Sequence, residues 1–285
     1  MDDVTAILAI RNEEAYLGNC LRHLIANGLN VAIIDNGSTD GSSRIYRATE
    51  FGRHIVGVWD APFGGAFALE QQLRLKQEIS RRIGGDWILH IDADEMPHSY
   101  REGEALADGL RRLGRDGWNA VNFNEFVFLP IDYDYTPDCK GFPPLLYYYL
   151  FEPSSPRLMR AWRPQFGFSM LNAGGHVLDG EGVRLAPESF ALRHYMMRDQ
   201  EHALGKYVLR TFDATELQRG WHANRVGYDR DFFRFPPKSS LKRLARSDDR
   251  RFDLSEPRAL HYWQWPRDGT AAVSAVGSGS IGVPR

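Results

Sequence analysis

Cysteine is scarce in this chain. Cys20 and Cys139 are the two among 285 residues, too few for a disulfide framework or a cysteine-ligated metal centre. That scarcity suits a reducing compartment. Charge of one sign is also missing: 37 Asp and Glu stand against 35 Lys and Arg, a formal net charge of −2. Nothing in that balance points to nucleic acid as a bulk electrostatic partner. No apolar run approaches the roughly 18 residues that a spanning helix needs. The N-terminal "MDDVTAILAIRNEE" carries acids where a secretory leader carries positive charge. These absences predict a cytoplasmic protein, with peripheral contact at the inner face of the membrane left open.

What is present is a repeating pattern. "TAILAI" (5–10) reads as a strand, and "RNEEAYLGNCLRHLIANG" follows with Leu17, Cys20, Leu21, Leu24 and Ile25 on one helical face. "VAII" is a second strand that breaks at the turn-rich "DNGSTDGSS". A short helix in "SRIYRATEFG" leads to a third strand, "HIVGVW". A longer helix spans about 66–83, with Leu69, Leu73, the stem of Lys76, Ile79 and Ile83 on one side, and stops at Gly84-Gly85. "WILHI" is the fourth strand. The alternation predicts an α/β fold with parallel strands and right-handed crossovers. Ligands of such sheets sit beyond the carboxyl ends of the strands. Three polar clusters, "RNEE", "DNGSTD" and "DADE", follow strand ends and so converge on one edge.

"WILHIDADEMP" poses the sharpest question. An apolar strand ends in Asp92, Asp94 and Glu95, and their mutual repulsion calls for a cation or a ligand that carries one. Alternation in an extended segment puts Asp92 and Asp94 on one side. Carboxylate oxygens suit Mg²⁺ or Mn²⁺. The bland reading is an acidic turn.

The second half is less regular. "NAVNFNEFVFLP", "RLMRAW" and "SFALRHYMMR" read as strands, "DQEHALGKYVLRTFDATELQRG" as a helix, and "PPKSSLKRLARSDDRR" as a basic, partly amphipathic segment. Aromatics make up 12% of the chain and gather in this half, where they suit sugar or headgroup contacts as well as an ordinary core. The small-residue tail predicts disorder.

"AIRNEEAYLGNCL", "AIIDNGSTDGS" and "LHIDADEMP", in that order and spacing, resemble family 2 glycosyltransferases of the GT-A fold. The resemblance is good over about Val4 to Pro97 and loose to about Lys206. It implies a metal-dependent, inverting transfer of a sugar from a UDP-, GDP- or dTDP-sugar to a glycan, lipid-linked or small-molecule acceptor. It implies donor binding by Asn12, Glu13, Asp35, Asn36 and Asp92, and Mn²⁺ or Mg²⁺ at Asp94 and Asp92. "LRHYMMRDQEHALGKY" resembles a later segment of bacterial members, which makes His194 a third metal ligand and Arg198 and Lys206 phosphate partners.

Two positions depart from the pattern. The Arg that many members carry after the third strand is missing from "DAPFGGAFALEQQLR", with Gln71, Gln72 or Arg74 as substitutes. In "NAGGHVLDGEG" the residue after His176 is Val177, where related sequences place the Glu that serves as base. Asp179 is then the favoured base and His176 the second, with Glu181 also in reach of the role. The acceptor side falls to 123–144 and the aromatic C-terminal part. The expected division is a catalytic GT-A domain over 1–198, a helical acceptor-side extension over 199–268 and a tail over 269–285. Two other readings stay open. A silent glycan-binding scaffold is kept open by the two departures. A sugar nucleotidyltransferase would need a Gly-rich basic loop after the first strand, which "AIRNEEAYL" lacks.

Overall fold

A computed structural model describes residues 3–131, 142–171, 174–222 and 234–266. The first strands form as the pattern requires: β1 (Val4–Ile10), β2 (Asn30–Asp35), β3 (Ile55–Asp60) and β4 (Trp87–Ile91). Between them lie α1 (Leu17–Ala26), α2 (Ser42–Tyr46) and α3 (Leu69–Ile83). The four strands run parallel in the order β3-β2-β1-β4. Gly28 stops α1 with a φ of 81°, a conformation that glycine reaches without a Cβ clash. Three more elements follow in the chain: β5 (Glu95–His98), α4 (Leu106–Arg115) and β6 (Ala120–Val121).

The second half supplies β7 (Phe123–Phe128), β8 (Tyr147–Phe151), β9 (Ala161–Trp162) and β10 (Phe190–His194). It closes with α5 (Gln200–Ala203), α6 (Ala214–Gln218) and β11 (Lys242–Arg243). β9 pairs antiparallel with β4, and β6 with β9, completing a six-stranded sheet. The other strands make a second sheet in the order β11-β8-β7-β10-β5. The α/β class expected from the sequence is the class observed.

The core lies on both faces of the first sheet. One face packs Leu8, Ile33, Trp87 and Leu89 against Leu17, Leu21 and Leu24 of α1 and Leu110 of α4, and runs on into Phe123, Phe126 and Phe190 of the second sheet. The other packs Ile7, Ile34 and Ile88 against Leu73 and Ile79 of α3. Burying such a side chain contributes about 1.5–3 kcal/mol. With both faces covered, β4 is buried throughout. His90 shares the parity of Ile88 and so lies on the α3 side.

Several expectations need correction. The helix expected over 199–220 is broken. α5 passes into a wider π turn at Leu204–Val208, and 211–213 runs extended beside Phe67, whose N–H donates to the Thr211 carbonyl at 2.8 Å while its carbonyl accepts from Asp213 N–H at 3.0 Å. Those bonds remove the backbone groups that a helix would use. The basic segment 236–251 holds a 3-10 turn at Lys238–Ser240 and the short β11, paired with β8. The run 120–128 is two strands in different sheets, and within "RLMRAW" only Ala161 and Trp162 are strand. The Pro- and Asp-rich loop expected to cover the site falls largely at 132–141, and the tail at 269–285, both outside the described residues. No described helix is long and apolar enough to cross a membrane.

Candidate active site

The loops after β1 and β2 are tied to each other. Beyond Ile10 the chain turns through Asn12, whose φ of 56° lies in the left-handed region that Asn tolerates better than most residues. Asn12 Oδ1 accepts from Thr39 N–H at 2.8 Å, and Asn12 N–H donates to Ser38 Oγ at 3.2 Å. Glu13 N–H donates to Ser42 Oγ at 2.9 Å. Asp35 accepts from Ser38 N–H at 2.8 Å and from the Tyr46 hydroxyl at 3.0 Å. Asn36 Nδ2 donates to the Ala61 carbonyl at 2.7 Å.

Beside these loops opens a cavity of about 660 Å³. It runs from Arg11, Asn12 and Glu13 past Asp92 and Asp94 to His90, Arg160, Gly174 and His176, with α3 along one wall and Lys206, Tyr207 and Arg210 on another. The mouth therefore lies at the carboxyl ends of β1 and β4, where a ligand was expected.

The acidic stretch fills this cavity's floor, and each carboxylate has its own cation. Asp92 keeps half its side-chain surface open; its Oδ1 is 3.4 Å from Lys76 Nζ and its Oδ2 4.0 Å from Arg160. Burial opposes its charge, but Lys76 and Arg160 outweigh that and hold the carboxyl below its usual range. Asp94 is buried. Its Oδ2 pairs with Lys206 Nζ and lies 3.3 Å from His194 Nε2. Glu95 is buried against Arg160 at 2.8 Å, and its other oxygen accepts from Asp92 N–H at 3.0 Å.

The second sheet brings His194 here. β10 pairs antiparallel with β5, with His194 opposite Glu95, and Tyr195 N–H donates to the Asp94 carbonyl at 2.8 Å. β10 also lies parallel to β7, which sets Glu125 Oε1 2.6 Å from His194 Nδ1. Arg157 pairs with the other oxygen of Glu125. Burial alone would lower the His194 pKa; Asp94 and Glu125 overrule it and hold the ring protonated well above the usual range. Glu13 differs. Burial, with Asp94 and Asp92 nearby, outweighs Lys206 and Arg210 and raises its carboxyl to about 7.

Of the residues singled out from sequence, Asn12, Glu13, Asp92, Asp94, His176, His194 and Lys206 line one cavity. Asp35 and Asn36 stand behind it as loop fasteners, and Asn36 lines a smaller neighbouring space of about 130 Å³ with Gln71 and Gln72. Arg74 is drawn into a surface pair with Glu70 at 2.6 Å. Arg198 lies outside the lining, its N–H bonded to His202 Nδ1 at 3.3 Å. Asp179 lies outside it too, exposed on a loop whose backbone pairs with Ser169. Of the two favoured for the base, His176 alone reaches the cavity.

Lys76, His90, Glu125 and Arg160 were not anticipated. Lys76 was credited with a buried stem alone, yet its whole side chain is buried and its Nζ also approaches the Ile91 carbonyl at 3.4 Å. A lone His within "WILHI" and a lone Glu within "FNEFVF" were the available signals, since buried polar groups in strands need partners.

The resemblance implies a divalent cation. Among the described residues no three His, Cys, Asp or Glu side chains form a ready-made cage. The chemistry at Asp94 and His194 still fits one. Asp94 offers a hard oxygen, His194 offers Nε2 beside it, and buried Glu125 holds Nδ1, the outer-shell arrangement of metal-ligating histidines. A cation arriving with a diphosphate would replace the imidazole proton.

The sequence profile described as Glycosyl transferase family 2 matches residues 5–117. A relative from Rhizobium meliloti (strain 1021), the lipopolysaccharide core biosynthesis glycosyltransferase LpsC, is 32% identical over 138 residues, 47% of this chain and 46% of that one. The chain thus spans about half the length of this curated relative. Among solved structures, S. aureus TarS gives a TM-score of 0.43 at 11% identity, covering 68% of this chain and 37% of that chain. The mannosyltransferase PcManGT from Pyrobaculum calidifontis, in complex with GDP-Man and Mn²⁺, gives 0.32 at 21% identity, covering 45% and 36%. The matched residues 5–117 hold both knitted loops and the acidic strand end, so it is this part of the chain that is similar to glycosyl transferase family 2.

Proposed function

We propose that this protein is a glycosyltransferase that moves a sugar from a nucleotide-sugar donor to an acceptor hydroxyl, with inversion at the anomeric carbon and with Mn²⁺ or Mg²⁺ at the donor diphosphate. One observation carries the reading. A family 2 segment ends its fourth strand on Asp92 and Asp94 at the floor of a cavity that also presents Arg11, Lys76, Arg160, Lys206 and Arg210. Paired acids among cations suit an anionic ligand that travels with a metal.

Arg11, Asn12 and Glu13 would receive the nucleoside. Asp94 and His194 would hold the cation, with Asp92 beside them. A bound divalent cation supplies charge neutralisation on the leaving diphosphate. Glu125 fixes the His194 ring, and Lys206 and Arg210 stand where phosphate charge would develop. The anomeric carbon gains a bond to the acceptor oxygen as the bond to the diphosphate breaks, its electron pair leaving on phosphate. The acceptor proton goes to a base within hydrogen-bond reach; His176 on the cavity wall is the candidate. The name of the Rhizobium meliloti relative supports a surface-glycan or glycoconjugate acceptor.

The test is thermal shift with UDP, GDP, dTDP, CMP and CDP, each with and without Mn²⁺, on the wild type and on Asp94→Ala. A ligand that binds the folded state alone raises the melting temperature by mass action. A metal-dependent rise for one nucleotide, lost in Asp94→Ala, is the expected result. No rise with any nucleotide would overturn the reading.

A further inference from the structure

Most cations around the cavity are already engaged. Lys206 pairs with Asp94, Lys76 lies 3.4 Å from Asp92, and Arg160 is held by Glu95 at 2.8 Å. Arg11 directs NH1 at the Asn36 carbonyl, 2.9 Å away, and at the Gly37 carbonyl. Arg210 differs. It lies over the Phe67 ring, 4.8 Å from the centroid, and has no carboxylate partner among the described residues. A neutral donor on the same wall is also unclaimed, and it belongs to His202.

The His202 ring is held from two directions. Asp199 caps α5 by accepting from His202 N–H at 2.7 Å, and His202 Nδ1 accepts from Arg198 N–H at 3.3 Å. Side chain and backbone thus fasten each other in the manner of a capping box. Buried Tyr16 meets the ring edge to face at 5.8 Å. An Nδ1 that accepts carries no proton, so the ring N–H is on Nε2. That Nε2–H has no hydrogen-bond partner among the described residues and is not sealed from solvent. The side chain lines the large cavity. Nε2 offers no lone pair in this tautomer, so the ring is a binding group and not a base.

We infer that His202 Nε2–H, with Arg210 on the same wall, seats a phosphate oxygen of the donor's diphosphate. This rests on the nucleotide-sugar reading. Lys206 follows His202 by four residues, so the two share a face of the chain's helical turns, and Lys206 ends on Asp94, where the donor's cation is proposed to sit. A diphosphate brought to Asp94 therefore meets the wall that carries His202. An N–H donor beside an unpaired guanidinium suits a charged oxygen better than a neutral hydroxyl, because hydrogen bonds to ionised acceptors are the stronger ones. The capped start of α5 fixes the ring before the ligand arrives, so little side-chain freedom is lost on binding.

The test is calorimetric titration, with Mn²⁺ present, of a nucleoside and its diphosphate, the base being the one that gives the thermal shift. The variants are His202→Met and His202→Ala, both without an N–H on the side chain, and His202→Gln, whose amide offers an acceptor to Arg198 N–H and a donor to the ligand. The expected result is a loss of about tenfold in diphosphate affinity in the first two variants, with nucleoside affinity kept within about twofold. His202→Gln should recover most of that loss. Two deletions keep the question answerable if one of them folds poorly. Unchanged diphosphate affinity without the N–H, or a nucleoside affinity that falls by the same factor, would overturn the phosphate seat. A wild type that binds no nucleotide would instead sink the donor reading on which the seat rests.

Discussion

Glu13 sits at the mouth of the cavity with its carboxyl raised from 4.5 to about 7, first by burial and then by Asp94 and Asp92. A carboxyl whose folded pKa is raised gives stability that is complete below the unfolded value and lost as pH rises through the folded one. The ligand-free wild type should therefore lose stability between about pH 4.5 and about pH 7 through this group. Glu13→Gln removes the charge. It should be more stable than the wild type by on the order of 1–2 kcal/mol at about pH 8, with the gap shrinking towards about pH 4.5. Urea unfolding at the two pH values checks this, and a gap that does not change with pH refutes it.

Glu125 is the clearest positioning residue. It holds His194 Nδ1 and pairs with Arg157. Glu125→Gln keeps the shape but weakens the hold on the imidazolium, so the His194 pKa should fall. Metal-dependent turnover should drop by about 10–100-fold, the usual effect of altering such a partner, and the acid limb of its pH profile should move to lower pH because a less basic imidazole releases its proton earlier. A drop with an unmoved profile would mean that Glu125 acts through stability alone. Glu125 escaped the sequence reading because its value depends on β7 lying beside β10, a pairing between distant stretches that no local pattern encodes. Asp92 and Asp94 were legible because four residues of one strand end carry the whole signal.

Among elements, α3 and α6 interlock. The Glu216 carboxylate on α6 accepts from Glu70 N–H at the start of α3 at 2.7 Å, and Asp213 caps α6 through Thr215 N–H at 2.9 Å and Glu216 N–H at 3.1 Å. Free N–H groups at a helix start need such acceptors. Ala68, the residue before α3, has no side-chain oxygen to provide one. Glu216→Ala should cost about 1–2 kcal/mol, a fall of about 2–4 °C in melting temperature per kcal/mol. It should also loosen the Phe67–Phe212 lip, whose rings stand edge to face at 6.2 Å. An unchanged melting temperature would show that water satisfies those groups equally well. This contact also explains the misread helix over 199–220. Its helical periodicity is real at both ends, but the middle is claimed by backbone bonds to Phe67, more than 140 residues earlier. The first sheet was legible because each parallel strand is announced by its own helix and turn. The second was not, because β5, β8 and β11 are short and take their places through pairing across the chain.

Across the whole molecule, charge is divided unevenly. The chain carries a formal net charge of −2, yet the cavity gathers Arg11, Lys76, Arg160, Lys206 and Arg210 against Glu13, Asp92 and Asp94. His194 adds a further positive charge while it stays protonated, and neutral Glu13 removes a negative one below about pH 7. Acids elsewhere on the surface balance that excess, so the protein as a whole is not a polycation. The field should be felt by a small multivalent anion that enters the mouth and not by a long one that must lie along the surface. Raising NaCl from about 0.05 to about 0.5 M shortens the screening length to less than half. Affinity for a nucleoside diphosphate should then fall several-fold, while a nucleoside without phosphate should bind equally at both ionic strengths. Lys206→Met should flatten the salt dependence of the diphosphate, because it deletes one of the charges that generates it. If the diphosphate bound equally well at both salt concentrations, the cations of the cavity would be serving Asp92, Asp94 and Glu95 alone, and the attraction of the donor would have to come from the metal it brings.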